Sequence, residues 1–351
     1  MRRALRLAER GRGQTSPNPM VGASVIAPDG TIVGDGHHER AGLPHAEVVA
    51  LDEAGPRARG ATLVCTLEPC SHQGRTGPCV ERIVQAGIGT VVAATEDPNP
   101  IVSGQGFRYL ESHGVNVVSA VEADAAERLN APFFTAMRHR RPWVILKQAA
   151  SLDGAVAAAP GERTAISSES ARRLADRWRA EVDAVGIGSE TLLVDDPLLT
   201  VRQLYRSRPL VRVIFDRSLR TPPSARVFST LDAGPVLIVA TAEMMAARLE
   251  QLEALERAGG RVIACDGTVS GALERLCDQG IQSVLLEGGP RLHRAAWEAD
   301  MIDEVRLFVA PEPLGPDGVA AADIPVTSLV DVATRTIGSD VLISGYVHRP
   351  R

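Results

Sequence analysis

Three residues of metal-ligating type stand in an order that suits metal chemistry: His45, Cys70 and Cys79, with Glu47 two positions after the histidine and Pro69 before the first cysteine. One imidazole and two thiolates leave the fourth tetrahedral position open, which is the make-up of a catalytic zinc rather than a structural one. Zinc lowers the pKa of its water towards about 7, so that hydroxide can attack an amidine-like carbon. Glu47 is placed to carry the proton from that water to a ring nitrogen and then to departing ammonia, without binding metal itself. Taken singly, His45 reads as a surface histidine and each cysteine as a small buried hydrophobe. The ordered set argues for metal. Cys65 falls mid-strand and reads as core; Cys265 and Cys277 have no histidine near them and read as structural.

The order H-x-E followed by P-C-x-x-C belongs to zinc nucleobase deaminases. Here eight residues, Ser71 to Pro78, separate the two cysteines instead of two. That polar, glycine-containing loop must arch beside the metal, and Arg75 on it suits a phosphate, which guanidinium binds through paired hydrogen bonds. In the second half, Glu287-Gly288-Gly289-Pro290 places two glycines between a strand and a helix, so that backbone N–H groups can face a pyrophosphate. A plain strand-to-helix turn is the competing reading. Gly186-Ile187-Gly188 is not a dinucleotide fingerprint and is weak by itself. Asp195-Asp196-Pro197 reads equally as a carboxylate pair or as a loop cap. Lys147 is the only lysine among 38 basic residues, and ammonium does chemistry that guanidinium does not.

The elements that must position these groups alternate between strand and helix over 351 residues, which predicts α/β architecture in about two domains with a mostly parallel sheet. Helices are expected at 3–11, 45–55, 78–87, 122–129, 168–180, 243–258, 269–279 and 290–299. Strands are expected at 21–27, 31–35, 61–66, 90–94, 143–149, 184–188, 210–216, 236–240, 262–264, 283–287 and 304–309. The basic turn from Arg138 to Pro142 is taken as the boundary between domains 1–141 and 142–351. The first holds 15 basic and 15 acidic residues, so the whole net charge of −5 lies in the second. No field of positive charge recruits nucleic acid or an anionic membrane. Few aromatics, 3% of the chain, are present to stack bases, which argues against a deaminase acting on RNA or DNA. No apolar run approaches a membrane span. Five scattered cysteines fit a reducing cytoplasm rather than a disulfide framework.

The runs Pro17-Asn18-Pro19-Met20-Val21-Gly22, His45-Ala46-Glu47, Thr66 to Thr76 and Asp97-Pro98-Asn99-Pro100 resemble the first half of bifunctional riboflavin biosynthesis proteins of the RibD/RibG type. Leu146-Lys147, Ser151-Leu152-Asp153-Gly154, Leu199-Thr200-Val201-Arg202 and Glu287 to Pro290 resemble the second half. The resemblance implies a cytidine-deaminase-like three-layer α/β/α domain followed by a dihydrofolate-reductase-like α/β domain. It implies two reactions on small phosphoribosylaminopyrimidines. A zinc deaminase acts first, and an NADPH-dependent reductase then opens the ribosyl group to ribityl. Residue by residue, His45, Cys70 and Cys79 would hold one zinc per chain and Glu47 would move the proton. Asn18, His38, Arg75, Asp97 and Asn99 would line the deaminase pocket. Arg179, Leu199, Arg202 and Glu287 would meet the reductase substrate, with the two arginines as phosphate partners. Ala149, Thr191, Asp195, Arg217, Gly289, Pro290, Arg291 and Leu292 would hold NADPH. Lys147 and Glu287 would be catalytic in that half, Lys147 donating to the pyrimidine carbonyl or the opening ribose. A homo-oligomer, dimer or tetramer, is expected, with no nucleic acid or membrane partner.

The second half departs from that pattern. Arg163 and Ala165 stand where a small hydroxyl and a tryptophan are common, and Arg217 where a serine is usual. Two readings follow: a rebuilt site in which Arg217 or Arg163 holds the 2′-phosphate of NADPH, or a silent reductase-like domain beside an active deaminase. Retention of Lys147, Asp195, Arg202 and Glu287 favours the first.

Overall fold

The computed structural model describes residues 1–71, 77–100, 102–202, 204, 206 and 208–350. The chain divides into two compact units, Met1–His139 and Arg140–Arg349. In the first, the elements are α1 (Arg2–Ala8), β1 (Gly22–Ile26), β2 (Ile32–His37), α2 (Ala46–Ala54), β3 (Thr62–Cys65), α3 (Cys79–Gln85), β4 (Thr90–Ala93), α4 (Gln105–Ser112), β5 (Asn116–Val118), α5 (Ala123–Leu129) and α6 (Ala131–His139). The sheet runs β2-β1-β3-β4-β5, antiparallel across β1 and parallel from β3 to β5. Successive residues of β1 face opposite layers. Gly22 meets α1 on one face, and Ala23 and Val25 join a core with Ala46 and Ala50 of α2 and Ile83 of α3. The backbone of α2 rests directly on β2: a Cβ at Gly36 would fall 2.2 Å from the Ala46 carbonyl oxygen. That close approach seats the helix that carries Glu47.

The second unit contains β6 (Trp143–Ala150), β7 (Ala155–Ala157), α7 (Glu169–Glu181), β8 (Ala184–Gly188), α8 (Ser189–Asp195), β9 (Val211–Phe215), β10 (Val236–Thr241), α9 (Ala242–Ala247), α10 (Leu249–Arg257), β11 (Gly260–Cys265), α11 (Val269–Asp278), β12 (Ser283–Gly288), α12 (Pro290–Glu298), β13 (Glu304–Val309), β14 (Val319–Ala320), β15 (Val330–Ile337) and β16 (Asp340–Tyr346). Among the described residues, nine strands form one sheet in the order β11-β10-β9-β8-β12-β6-β13-β16-β15, parallel from β11 to β13 with β16 antiparallel to its neighbours. Central strands open on apolar runs, as a sheet covered on both faces requires; Val144, Leu146, Val284 and Leu286 are fully buried. Because β12 inserts between β8 and β6, Glu287 is flanked by Lys147 on one side and by the Gly188–Thr191 turn on the other.

Several elements differ from the sequence expectation. Helices α4, α6 and α8 and strand β5 stand where none was expected, and Arg138 and His139 belong to α6 rather than to a turn. The helix expected over 243–258 breaks at Arg248, whose backbone (φ −124°, ψ 52°) is not helical. The β15–β16 hairpin escaped notice because β15 is exposed along nearly its whole length and carries no apolar alternation.

Candidate functional sites

In the first unit, His45 is the N-cap residue of α2 and Cys79 is the first residue of α3, while Cys70 lies on the chain leaving β3. His45 Nδ1 is 3.2 Å from Cys79 Sγ and 3.4 Å from Cys70 Sγ, and the three donor atoms lie within 4.8 Å of one another. A tetrahedral zinc with bonds of about 2.0–2.3 Å needs N···S separations near 3.5 Å, so the donor set fits. Hydrogen bonds from Cys79 and His45 outweigh burial and hold the Cys70 thiol down at about 4, as the ligating thiolate form. Glu47 is 4% exposed, and its Oε2 is buried with no hydrogen-bond partner among the described residues. Burial pushes its carboxyl up to about 7. An unpaired carboxylate oxygen so deeply placed is costly unless something polar meets it in the working site.

His38 is 2% exposed and lies edge-on to His45 at a ring distance of 5.5 Å. Its Nδ1 is 3.1 Å from the Pro44 carbonyl and its Nε2 3.1 Å from Asn18 Nδ2. The carbonyl can only accept, so Nδ1 carries the proton and Nε2 accepts from Asn18. Burial keeps the ring's pKa below its ordinary value. His38 therefore orients Asn18 from behind. Asp97 is 8% exposed, and its Oδ1 accepts the Asn99 N–H at 2.8 Å. Arg75 lies outside the described residues.

In the second unit, a cavity of about 1710 Å³ opens at the C-terminal ends of the strands, where α/β sheets place their ligands. Single-ligand pockets span roughly 300–1,000 Å³, so this one accommodates a dinucleotide and a second molecule. Among the described residues, ten cationic side chains line it against seven acidic ones, an excess of positive charge in an acidic chain. Lys147, Ala149, Thr191, Asp195, Arg202, Arg217, Glu287 and Gly289 to Leu292 all contribute, as do Arg163 and Ala165. Gly288 and Gly289, joined by a cis peptide, lead into α12 with Pro290 at its first turn. A Cβ on Gly289 would fall 2.7 Å from Thr191 Oγ1, so glycine is what lets the turn before α12 and helix α8 close on each other.

Two expected residues have surroundings the sequence did not show, and the Asp195-Asp196 pair resolves into separate roles. Arg179 is committed to Glu287 through contacts of 2.6 Å from Nε and from Nη2, and to the Thr200 carbonyl at 3.0 Å. That leaves Arg202, whose N–H is fastened to Asp176, as the better phosphate candidate. Leu199 is 2% exposed and does not line the cavity; with its φ at +55°, any substrate contact would run through its backbone. Asp195 lines the cavity and Asp196 instead accepts the Arg226 N–H at 2.8 Å beyond the helix end, so the two carboxylates are not a pair. Burial alone would raise the Glu287 carboxyl, but Arg179, Lys147 and Arg202 bring it below its ordinary value. Burial pushes the Lys147 ammonium down, with Glu287 opposing. Glu68 and Asp176, both buried, escaped the sequence reading; a lone acid between Leu67 and Pro69 was the one available signal.

A family described as the cytidine and deoxycytidylate deaminase zinc-binding region matches residues 1–95, and the RibD C-terminal domain matches residues 142–343. The chain is 41% identical over 330 residues to the riboflavin biosynthesis protein RibD of Aquifex aeolicus, covering 94% of this chain and 90% of that one. It belongs to the RibD family. Against the Escherichia coli RibD it is 39% identical over 365 residues, covering 98% and 97%. The solved structure of Acinetobacter baumannii RibD superposes with a TM-score of 0.88 at 36% identity, covering 98% and 97%. A Thermotoga maritima structure titled as a diaminohydroxyphosphoribosylaminopyrimidine deaminase/5-amino-6-(5-phosphoribosylamino)uracil reductase gives 0.85 at 34% identity, covering 100% and 97%. As a RibD, the chain is a bifunctional enzyme of riboflavin biosynthesis, with a zinc-dependent deaminase and an NADPH-using reductase. No helix among the described residues is long and apolar enough to cross a membrane.

Proposed function

We propose that residues 1–141 deaminate 2,5-diamino-6-(5-phosphoribosylamino)pyrimidin-4-one and that residues 142–351 then reduce the ribosyl group of the resulting uracil to ribityl. The observation that carries the first step is the buried, unpartnered Oε2 of Glu47 beside the His45–Cys70–Cys79 triad. Zinc held there supplies Lewis acidity that brings water into the neutral pKa range. Glu47 takes a proton at Oε2 and returns it to the ring nitrogen and the leaving amine, work suited to a carboxyl near neutral pKa. His38 sets the direction of Asn18, and Asn18, Asp97 and Asn99 hold the pyrimidine; Arg75 takes its phosphate.

In the second step NADPH supplies the hydride. Gly289 to Leu292, Ala149, Thr191 and Asp195 seat the cofactor, with Arg217 and Arg163 as partners for its 2′-phosphate. Arg202 takes the substrate phosphate, and Lys147 donates to the opening ribose while Glu287 holds it in place. The shared cavity of Lys147, Glu287, Arg202 and the Gly288–Gly289 turn supports an active rather than a silent reductase. A homo-oligomer in a reducing cytoplasm, where cysteines that form no disulfide are stable, completes the reading. Incubating the protein with the diaminopyrimidinone phosphate and no NADPH should release ammonia. Added NADPH should then be consumed, read by absorbance. Absence of ammonia refutes the deaminase assignment, and unconsumed cofactor refutes the reductase assignment.

A further inference from the structure

Glu68 has no part in the chemistry described above, yet it is one of the best-satisfied groups in the first unit. It is 2% exposed, and its carboxylate accepts four backbone N–H groups: Asp97 at 3.1 Å and Gly104 at 2.9 Å on Oε2, Gly106 at 2.8 Å and Phe107 at 3.4 Å on Oε1. Its own N–H donates to the Thr95 carbonyl at 2.9 Å. The segment it grips lies so close that a Cβ on Gly106 would fall 2.1 Å from the Pro69 carbonyl oxygen. A buried carboxylate stripped of water is tolerated because these donors replace its hydration, and charge-assisted bonds of this kind are about twice as strong as neutral ones.

The position of this cluster shows what it does. Strands β3 and β4 are parallel neighbours ending at Cys65 and Ala93. The chain leaving β3 delivers Cys70, and the chain leaving β4 delivers Asp97 and Asn99. Beyond the strand ends, backbone bonds from the Ala94 N–H to the Cys65 carbonyl at 3.0 Å and from the Glu68 N–H to the Thr95 carbonyl begin to join the two chains, and the Glu68 carboxylate carries the tie on to Asp97. Glu68, two residues before the metal-ligating Cys70, ties one to the other. Because Asp97 Oδ1 in turn accepts the Asn99 N–H, the grip on Asp97 extends to Asn99.

We propose that Glu68 is a positioning residue of the deaminase, fixing Asp97 and Asn99 against the Cys70 side of the metal triad so that the pyrimidine is held at the reacting centre. The proposal rests on the pyrimidine-holding roles given above to Asp97 and Asn99. Its specific consequence is that Glu68 governs substrate binding and not metal loading, although it is far nearer in sequence to the metal ligand than to the substrate loop.

The test uses the full chain. Glu68→Gln keeps the side-chain size but points an NH2 group at backbone N–H donors, removing the bonds on one oxygen and the charge on both. Zinc content should stay near one per chain by metal analysis. KM for the diaminopyrimidinone phosphate should rise about tenfold or more, with kcat changed much less, since binding shared by ground and transition states is what is lost. Reductase activity on already deaminated substrate should be unchanged. Glu68→Asp keeps the charge on a shorter arm and should recover part of the KM. Loss of zinc and kcat together at unchanged KM overturns the proposal, since Glu68 would then serve only Cys70. Should Glu68→Gln lose the reductase as well and so fail to fold, the same criteria apply to Glu68→Asp. Asp97→Asn and Asn99→Ala form a separate arm: if neither alters KM, the substrate assignment beneath the proposal fails, whatever Glu68 does.

Discussion

Replacing Glu287 by glutamine probes the electrostatic centre of the reductase cavity. Arg179 meets Glu287 through two parallel contacts of 2.6 Å, with side chains only 16% and 9% exposed. Burying both charges is costly, so the intact pair adds little net stability, but removing one partner strands the other and costs about 3–5 kcal/mol. Two cations face the stranded site here, because Lys147 shares the Glu287 field. In a domain the size of Arg140–Arg349, each kcal/mol lowers Tm by about 2–4 °C, so Glu287→Gln should lower the melting transition of this unit by roughly 6–20 °C. Arg179→Met/Glu287→Met, which removes both charges, should lose less than either single change. The kinetic consequence has a definite sign. Glu287 holds the Lys147 pKa up against burial, so without it that pKa falls further. If reduction needs charged Lys147, the rate declines as pH rises through that pKa, and the decline should begin at lower pH in Glu287→Gln. Calorimetry and a pH profile of NADPH consumption read the two effects. A Tm within about 2 °C of the parent, together with an unmoved alkaline limb, would refute the assignment of Glu287 as the anionic anchor of Arg179 and Lys147.

Cys70→Ser should leave well under about one zinc per chain by metal analysis while reduction of deaminated substrate continues; undiminished zinc contradicts the ligand assignment. Gly289→Ala should raise KM for NADPH about tenfold, because its Cβ meets Thr191 Oγ1, and adding Thr191→Ala should return part of that loss; an unchanged KM would show that the turn does not touch cofactor. His293 is fully enclosed, and burial pushes its pKa down to about 4. The unfolded chain therefore binds the extra proton between about pH 6.5 and 4, and stability present above that window is lost as pH falls through it, by up to about 3 kcal/mol. His293→Gln should flatten this part of the urea-midpoint profile; a variant as acid-sensitive as the parent excludes His293 as the cause.

The zinc set was legible in the sequence because its signal is local. His45 and Glu47 sit two apart at a helix start, and residue type alone distinguishes ligands from the proton carrier. The central strands were legible for a related reason: burial on both faces demands apolar runs, and 143–146, 184–187 and 284–286 are such runs, with the polar residues of the site following at their C-terminal ends. Elements whose burial is partial or absent carried no such mark, which is why α4, α8 and the exposed β15 went unseen. What tertiary structure alone decided were partnerships across the chain. Arg179, expected as a phosphate partner, lines the cavity, but only the insertion of β12 between β8 and β6 brings Glu287, 108 positions away, onto its guanidinium. Leu199, expected at the substrate, has a buried side chain, and Glu68, to which the sequence assigned no role, gathers the N–H groups of Asp97, Gly104, Gly106 and Phe107. Composition and spacing determine which chemistry a chain can do. Which buried charge neutralises which depends on strand order and loop packing, because desolvation and Coulomb energies act through space and take no account of sequence distance.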